Sequence, residues 1–164
     1  MWDRHDPERL EQRIRVERDG SVTALSGKIE FGQGIRTAFA QIVADELDIP
    51  IERVNVVLGD TDQVPFDFGT FGSHSVAQET PLLRKAAAFA RQQLIDRASA
   101  KLGLPAEKLD TDAGVVVGGG KRVPYAELLD SELDGTSVHV GDSVVRFLPG
   151  GPQGRPQLQA ELLI

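Results

Sequence analysis

The chain contains no cysteine. That excludes disulfides, a thiolate nucleophile, a cysteine-type zinc site and a cysteine-ligated iron–sulfur cluster. His5, His74 and His139 stand far apart, without the spacing of a metal site, so no metal-binding residue is assigned. Aromatic side chains make up only 5 %, which leaves Ala, Val, Leu and Ile to build the core. Basic runs are missing and the net charge is −7, which excludes nucleic acid as a partner. No apolar stretch approaches the roughly 20 residues of a membrane-spanning helix. The opening "MWDRHDPERLEQR" lacks the apolar centre of a secretory signal. The expectation is a cytoplasmic protein with no membrane partner. Its 164 residues suffice for one compact domain.

What is present is a clear alternation of periods. Residues 1–11 are charged and aperiodic, and read as a loose arm. "RIRVERDGSVTALSGKIEF" then alternates, with Ile14 and Val16 on the same side as Val22 and Ala24. Asp19-Gly20 between alternating runs predicts a hairpin. A third strand-like run, Lys28 to Phe31, ends in Gly-Gln-Gly. From Ile35 the apolar residues Ile35, Ala38, Phe39, Ile42 and Val43 follow a helical stripe. Pro50 limits that helix to about Leu47. "RVNVVLG", Arg53 to Gly59, reads as a strand. A long polar loop, Asp60 to Ser75, precedes a second helix over about Thr80 to Leu102, with Leu83, Ala87, Ala90, Leu94, Ala98 and Leu102 as its buried stripe.

The two helices end alike. "LDIPIERVNV" and "LGLPAEKLDT" share a pattern of apolar residue, proline, glutamate, base and apolar residue. Reuse of one stop signal explains this better than duplication. Downstream, "GVVVGGGKRVPYAELL" predicts a hairpin around Gly118-Gly119-Gly120 and a short helix from Pro124. "SVHVGDSVVRFL" gives one or two strands, and "PGGPQGRP" is linker-like. The expected fold is α+β: an N-terminal β-hairpin and further strands in a mixed sheet, with two main helices packed on one face. Residues 12–134 form the main domain and 135–164 a C-terminal extension.

Two turns carry the functional reading. Gly32-Gln33-Gly34 stands where a strand hands over to a helix. Helix starts expose unpaired N–H groups and partial positive charge, so an anion is favoured there. A tight strand–helix connection explains the same three residues equally well. "GTFGSHS", Gly69 to Ser75, also precedes a helix and adds hydroxyls from Thr70, Ser73 and Ser75. Two such loops converging on one elongated anion suit a phosphate- or pyrophosphate-bearing cofactor. Neither matches the lysine-bearing phosphate loop or the Gly-x-Gly-x-x-Gly pattern. His74 reads as a positioned hydrogen-bond partner rather than a base, since no triad spacing supports it. Asp60 and Asp62 cap and turn their loop. The acidic residues on the helices read as a solvated face. No catalytic residue is assigned.

"GKIEFGQGIRTAFAQIVADEL", "RVNVVLGDTD", "GTFGSHS" and the alanine-rich helix after them resemble, in order and spacing, the molybdenum hydroxylase family of xanthine and aldehyde oxidases. The likeness covers about Ile14 to Leu129 and is greatest for the isoquinoline 1-oxidoreductase and nicotinate dehydrogenase type of large subunit. The resemblance implies a molybdopterin site, with Gly32, Gln33 and Gly34 touching the pterin. It implies that Gly72, Ser73 and Ser75 line the pterin and its phosphate, with Thr70 and His74 beside them. It also implies the cytosine dinucleotide form of the cofactor, held through dithiolene sulfurs rather than cysteine. The family's catalytic glutamate, in a Gly-x-Gly-Glu setting, has no counterpart here. The implied role is part of the cofactor-binding region of an enzyme that oxidises an N-heterocycle or aldehyde. Such a segment is inactive alone, and the isolated chain need not retain the cofactor. It needs the remainder of the large subunit and an iron–sulfur electron-transfer subunit, and its uncovered surfaces favour self-association. The alternative is a free-standing remnant or interaction module that keeps the fold without cofactor.

Overall fold

A computed structural model describes residues 13–129 and the strand residues 137–140 and 143–146. The expected arm over residues 1–11 and the linker-like "PGGPQGRP" lie outside the described residues. Strand β1 (Ile14–Val16) turns back at Asp19-Gly20 into β2 (Val22–Ser26). Gly20 adopts φ 81°, and Asp19 Oδ1 accepts the Ser21 N–H at 2.8 Å. Hydrogen bonds from Ser21 hold the Asp19 carboxyl below its usual range. Antiparallel pairing sets Ile14 opposite Ala24 and Val16 opposite Val22, so the expected apolar side forms one buried face.

Helix α1 (Ile35–Leu47) carries the chain to β3 (Val54–Leu58), which runs parallel to β2 from Val22↔Val54 to Ser26↔Leu58. Parallel neighbours need a crossover, and α1 supplies it. The result is a mixed sheet in the order β1-β2-β3. Helix α2 (His74–Leu102) packs on α1 and on the same face. Leu83, Ala86, Ala87, Ala90, Leu94 and Ala98 meet Phe39, Val43 and Leu47 of α1 and Val22 and Ala24 of β2 in one core cluster. Alanines let the two helix backbones approach closely. Each fully buried leucine contributes roughly 1.5–3 kcal/mol.

Strands β4 (Asp110–Asp112), β5 (Val115–Gly118) and β6 (Lys121–Pro124) form a separate antiparallel sheet. Gly119 and Gly120, both at positive φ, make its expected hairpin. A 3-10 turn, Tyr125–Leu128, stands where a short helix was expected after Pro124. The buried Tyr125 hydroxyl donates to the Leu47 carbonyl at 2.7 Å, tying this sheet to the end of α1. Burial pushes its phenol up to about 12. Strands β7 (Ser137–Val140) and β8 (Ser143–Arg146) pair antiparallel.

Two expectations shift. Lys28 to Phe31 is not a strand, because the ladder stops at Ser26↔Leu58. Beyond it the N–H groups of Lys28, Ile29 and Phe31 donate to Ser26 Oγ, Thr70 Oγ1 and Gln33 Oε1. Side chains have taken the donors that a strand would pair. Helix α2 starts at His74 rather than Thr80 and so encloses Pro81. A proline inside a helix costs about 3 kcal/mol. The turns ahead of it are nevertheless fixed, because Ser75 and Glu79 are buried.

Candidate functional site

Two loops lead to the helix starts: residues 27–34 before α1 and 59–73 before α2. They lie side by side. A Cβ at Gly27 would fall 2.3 Å from Asp67 Cβ and 2.8 Å from the Pro65 carbonyl oxygen, so only glycine fits there. Lys28 is 4 % exposed and donates from Nζ to Asp67 Oδ1 at 3.0 Å and to the Gly69 carbonyl at 2.7 Å. Asp67 Oδ1 also accepts the Gly69 N–H at 2.8 Å. The Ile29 N–H donates to Thr70 Oγ1 at 2.8 Å. Beneath them, Glu79 Oε2 accepts from Arg13 Nη1 at 2.6 Å and from Ser26 Oγ at 3.0 Å. This buried polar set joins β1, β2, both loops and α2.

The two helix starts differ electrically. At α1 the positive end is already filled. Glu30 Oε1 accepts the N–H groups of Gly32 at 2.8 Å and Gly34 at 3.0 Å, and its Oε2 accepts that of Arg36 at 3.0 Å. These hydrogen bonds, Arg36's first, hold the Glu30 carboxyl below its usual range. Gln33 closes the same turn, accepting the Phe31 N–H at 2.8 Å and donating to the Ile29 carbonyl at 2.7 Å. The anion that the sequence asks for on this turn is, in this structure, the chain's own carboxylate. Gly32 and Gly34 hold φ of 107° and 78°, and a Cβ on either meets nothing within 4 Å. Their outer side is open.

At α2 the positive end is free of such a plug. Ser73 sits at φ 57° and its side chain caps no N–H, and the first turn carries no acidic residue. Gly72, Ser73 and His74 are exposed, while Thr70 is half-buried and Ser75 is 8 % exposed. His74 and Ser75 thus belong to the first turn of α2 rather than to the loop. The His74 ring lies edge-on to Phe71, with centroids 6.4 Å apart. Asp60 turns its loop as expected, accepting the Asp62 N–H at 3.1 Å and bonding the Gln63 side chain. Among the described residues, no group of three or more histidines, aspartates or glutamates can hold a metal. Nor is any helix among them long and apolar enough to cross a membrane.

Sequence reading missed Lys28, Glu30, Asp67 and Glu79. Glu79 is 4 % exposed, against the expectation that helix acids form a solvated face. A carboxylate just ahead of a helix start was the available signal for Glu30. No local signal marks the other three, whose side-chain partners lie 39 to 66 residues away.

Two loops are thus clamped together, and of the two helix starts one carries no acidic cap. The particular family follows from comparison. The model of the molybdopterin cofactor-binding domain matches residues 3–158, and the chain belongs to that family. A nicotinate dehydrogenase subunit of Pseudomonas putida is 40 % identical over 79 % of this chain and 11 % of its own length. The beta subunit of isoquinoline 1-oxidoreductase from Brevundimonas diminuta is 34 % identical over 87 % and 19 %. Among solved structures, reconstituted CO dehydrogenase from Oligotropha carboxidovorans superposes with a TM-score of 0.64 at 32 % identity, covering 71 % of this chain and 15 % of that one. The chain therefore spans only 11 % to 19 % of the relatives' length. The first two relatives are named as subunits of larger enzymes.

Proposed function

We propose that this chain is part of the molybdopterin-contacting region of a molybdenum hydroxylase that oxidises an N-heterocycle or aldehyde. The observation that carries the reading is the start of α2: an exposed, uncapped, acid-free helix end whose loop is hydrogen-bonded to the loop that carries an open glycine turn. Such an end attracts anions. Gly72, Ser73 and Ser75 would face the phosphate part of the cofactor, with Thr70 and His74 beside them. Gly32, Gln33 and Gly34 would face the pterin. The cytosine dinucleotide form, with its pyrophosphate, suits two adjoining loops better than a lone phosphate. When bound, the cofactor's molybdenum supplies the two-electron oxidation. This chain's residues orient the group and carry no acid–base step.

The chain is incomplete as a catalyst. It acts in the cytoplasm with the remainder of a large subunit and an iron–sulfur electron-transfer subunit. The domain proper is residues 12–134, and 135–164 extend it. The test is co-expression with the missing large-subunit part, followed by assay of molybdenum and pterin in the purified complex. Ser73→Asp places a negative charge at the α2 start. We expect at least tenfold less retained molybdenum, with an unchanged or higher Tm, because the same charge interacts favourably with the positive helix end. Equal retention by variant and wild type would sink the reading.

A second reading has one observation behind it. The Gln33 amide and the N–H groups at the α1 start are satisfied without any ligand. A module that keeps the fold and binds no cofactor has no need to leave them free. That reading expects no molybdenum in any complex.

A further inference from the structure

The described residues expose seven large hydrophobic side chains, and six of them fall in or beside the two clamped loops. Phe68 is 78 % exposed, Phe31 69 %, Phe66 63 % and Phe71 59 %, with Ile29 and Val76 flanking them in sequence. The seventh, Ile51, lies in the turn before β3. In a chain with seven phenylalanines, four stand in solvent on two segments that hydrogen bonds hold together. At roughly 150–250 Å² per aromatic side chain, they present on the order of 500 Å² of apolar surface. That matches the largest apolar patch of a typical monomer, which is often functional. The rings are not loosely placed. Phe68 and Phe71 meet edge to face at 6.1 Å, and Lys28 fixes the loop from below.

We infer that this aromatic rim is the docking surface for the part of a molybdenum hydroxylase large subunit that lies outside the matched region. The occupant follows from length. The relatives are about five to nine times as long as the stretch this chain matches, and each is named as a subunit of a larger enzyme. A part of that size must meet this domain somewhere, and the rim is the one large apolar surface among the described residues. Phe71 contacts His74, and Thr70 is held by Ile29. The partner that covers the rim therefore also closes over the face proposed for the cofactor. This inference rests on the proposed function and adds the surface through which the site is completed.

The experiment uses the full chain and the Pseudomonas putida nicotinate dehydrogenase subunit lacking its matching 130 residues, both made in cells unable to synthesise molybdopterin, the latter taken as the soluble fraction that unfolds in a cooperative thermal transition. Affinity capture should give a one-to-one complex. Phe68→Ser/Phe71→Ser should bind at least tenfold more weakly with Tm unchanged. Capture that ignores the double variant overturns the inference. So does absence of capture, including the case where wild-type chain persists as a self-dimer that the variant dissolves. An apolar fluorescent dye should light up with the wild-type chain alone and lose most of its signal with the variant. No signal from the wild type means that the chain covers the rim itself, which also overturns the proposal. Because no cofactor is present, capture fails independently of molybdenum retention. A complex that forms normally and never retains molybdenum sinks the cofactor reading alone.

Discussion

Helices α1 and α2 leave their last turns in the same way and are approached in different ways. Asp48 and Gly103 both take left-handed φ, at 52° and 66°. Pro50 and Pro105 follow in the same conformation, and each opens a 3-10 turn in which its carbonyl accepts the N–H three residues on, at 2.9 Å and 3.0 Å. A strand comes next in both places. The approaches share a left-handed cap residue, Gly34 at φ 78° and Ser73 at φ 57°, and differ in the side chains around it. One is a short loop whose own Glu30 fills the helix start, and the other is a longer loop that leaves the start bare. Exits are written in backbone chemistry: a proline, a positive φ, a short turn. Approaches are built from side chains that reach across the fold, and there the two copies are free to diverge.

Removing the side chains under the approaches should do the most damage. Glu79→Ala leaves the Arg13 guanidinium buried without its carboxylate. A loss of about 3–5 kcal/mol in urea unfolding is expected. A loss below ~1 kcal/mol would mean that the approaches do not depend on this set. The exits should respond less, and in a reciprocal manner. Gly103→Asp puts a side chain on a left-handed residue and costs ~1–2 kcal/mol, while Asp48→Gly relieves the same strain and gains up to about 1 kcal/mol. Two effects of one sign would break the equivalence of the exits.

Glu30 gives a pH-dependent contrast between the two starts. Its folded value lies below the ordinary 4.5. Its stabilisation is therefore present in full above that ordinary value and is lost as pH falls through the folded one. The Tm gap between wild type and Glu30→Ala should be complete at neutral pH and should close on acidification. A gap that stays constant would deny Glu30 its capping role. The smallest effect belongs to Thr80, whose Oγ1 is buried without a hydrogen-bond partner among the described residues. Thr80→Val should leave stability unchanged or raise it by up to ~1 kcal/mol. A clear loss would reveal a partner for that hydroxyl.

The exits, the first hairpin and the span of α1 were legible because their signals are local. Asp19-Gly20, Pro50 and the Ile35–Val43 stripe each act within a few residues. The approaches were legible only in part. That two polar loops could converge was read from their shared makeup, glycines and polar side chains each placed ahead of a helix. That Lys28 would be buried under Asp67, or that Glu79 would serve Arg13, was not. A lysine in an apolar run and a glutamate on a helix carry no mark of a partner dozens of positions away. The start of α2 was missed for the same reason: its first turns are fixed by the burial of Ser75 and Glu79, which only the assembled fold supplies.

The bond from Arg13 to Glu79 closes a stretch of 66 residues. A chain synthesised from its N-terminus makes β1, β2 and α1 well before residue 79 emerges, so Arg13, Ser26 and Lys28 must wait in water for partners not yet translated. Local turns form within microseconds, and so distant a closure follows only when α2 arrives. The face bearing the two loops is therefore completed only once the first turns of α2 have been made, and a nascent chain stalled short of α2 would hold its first helix and hairpin without that face.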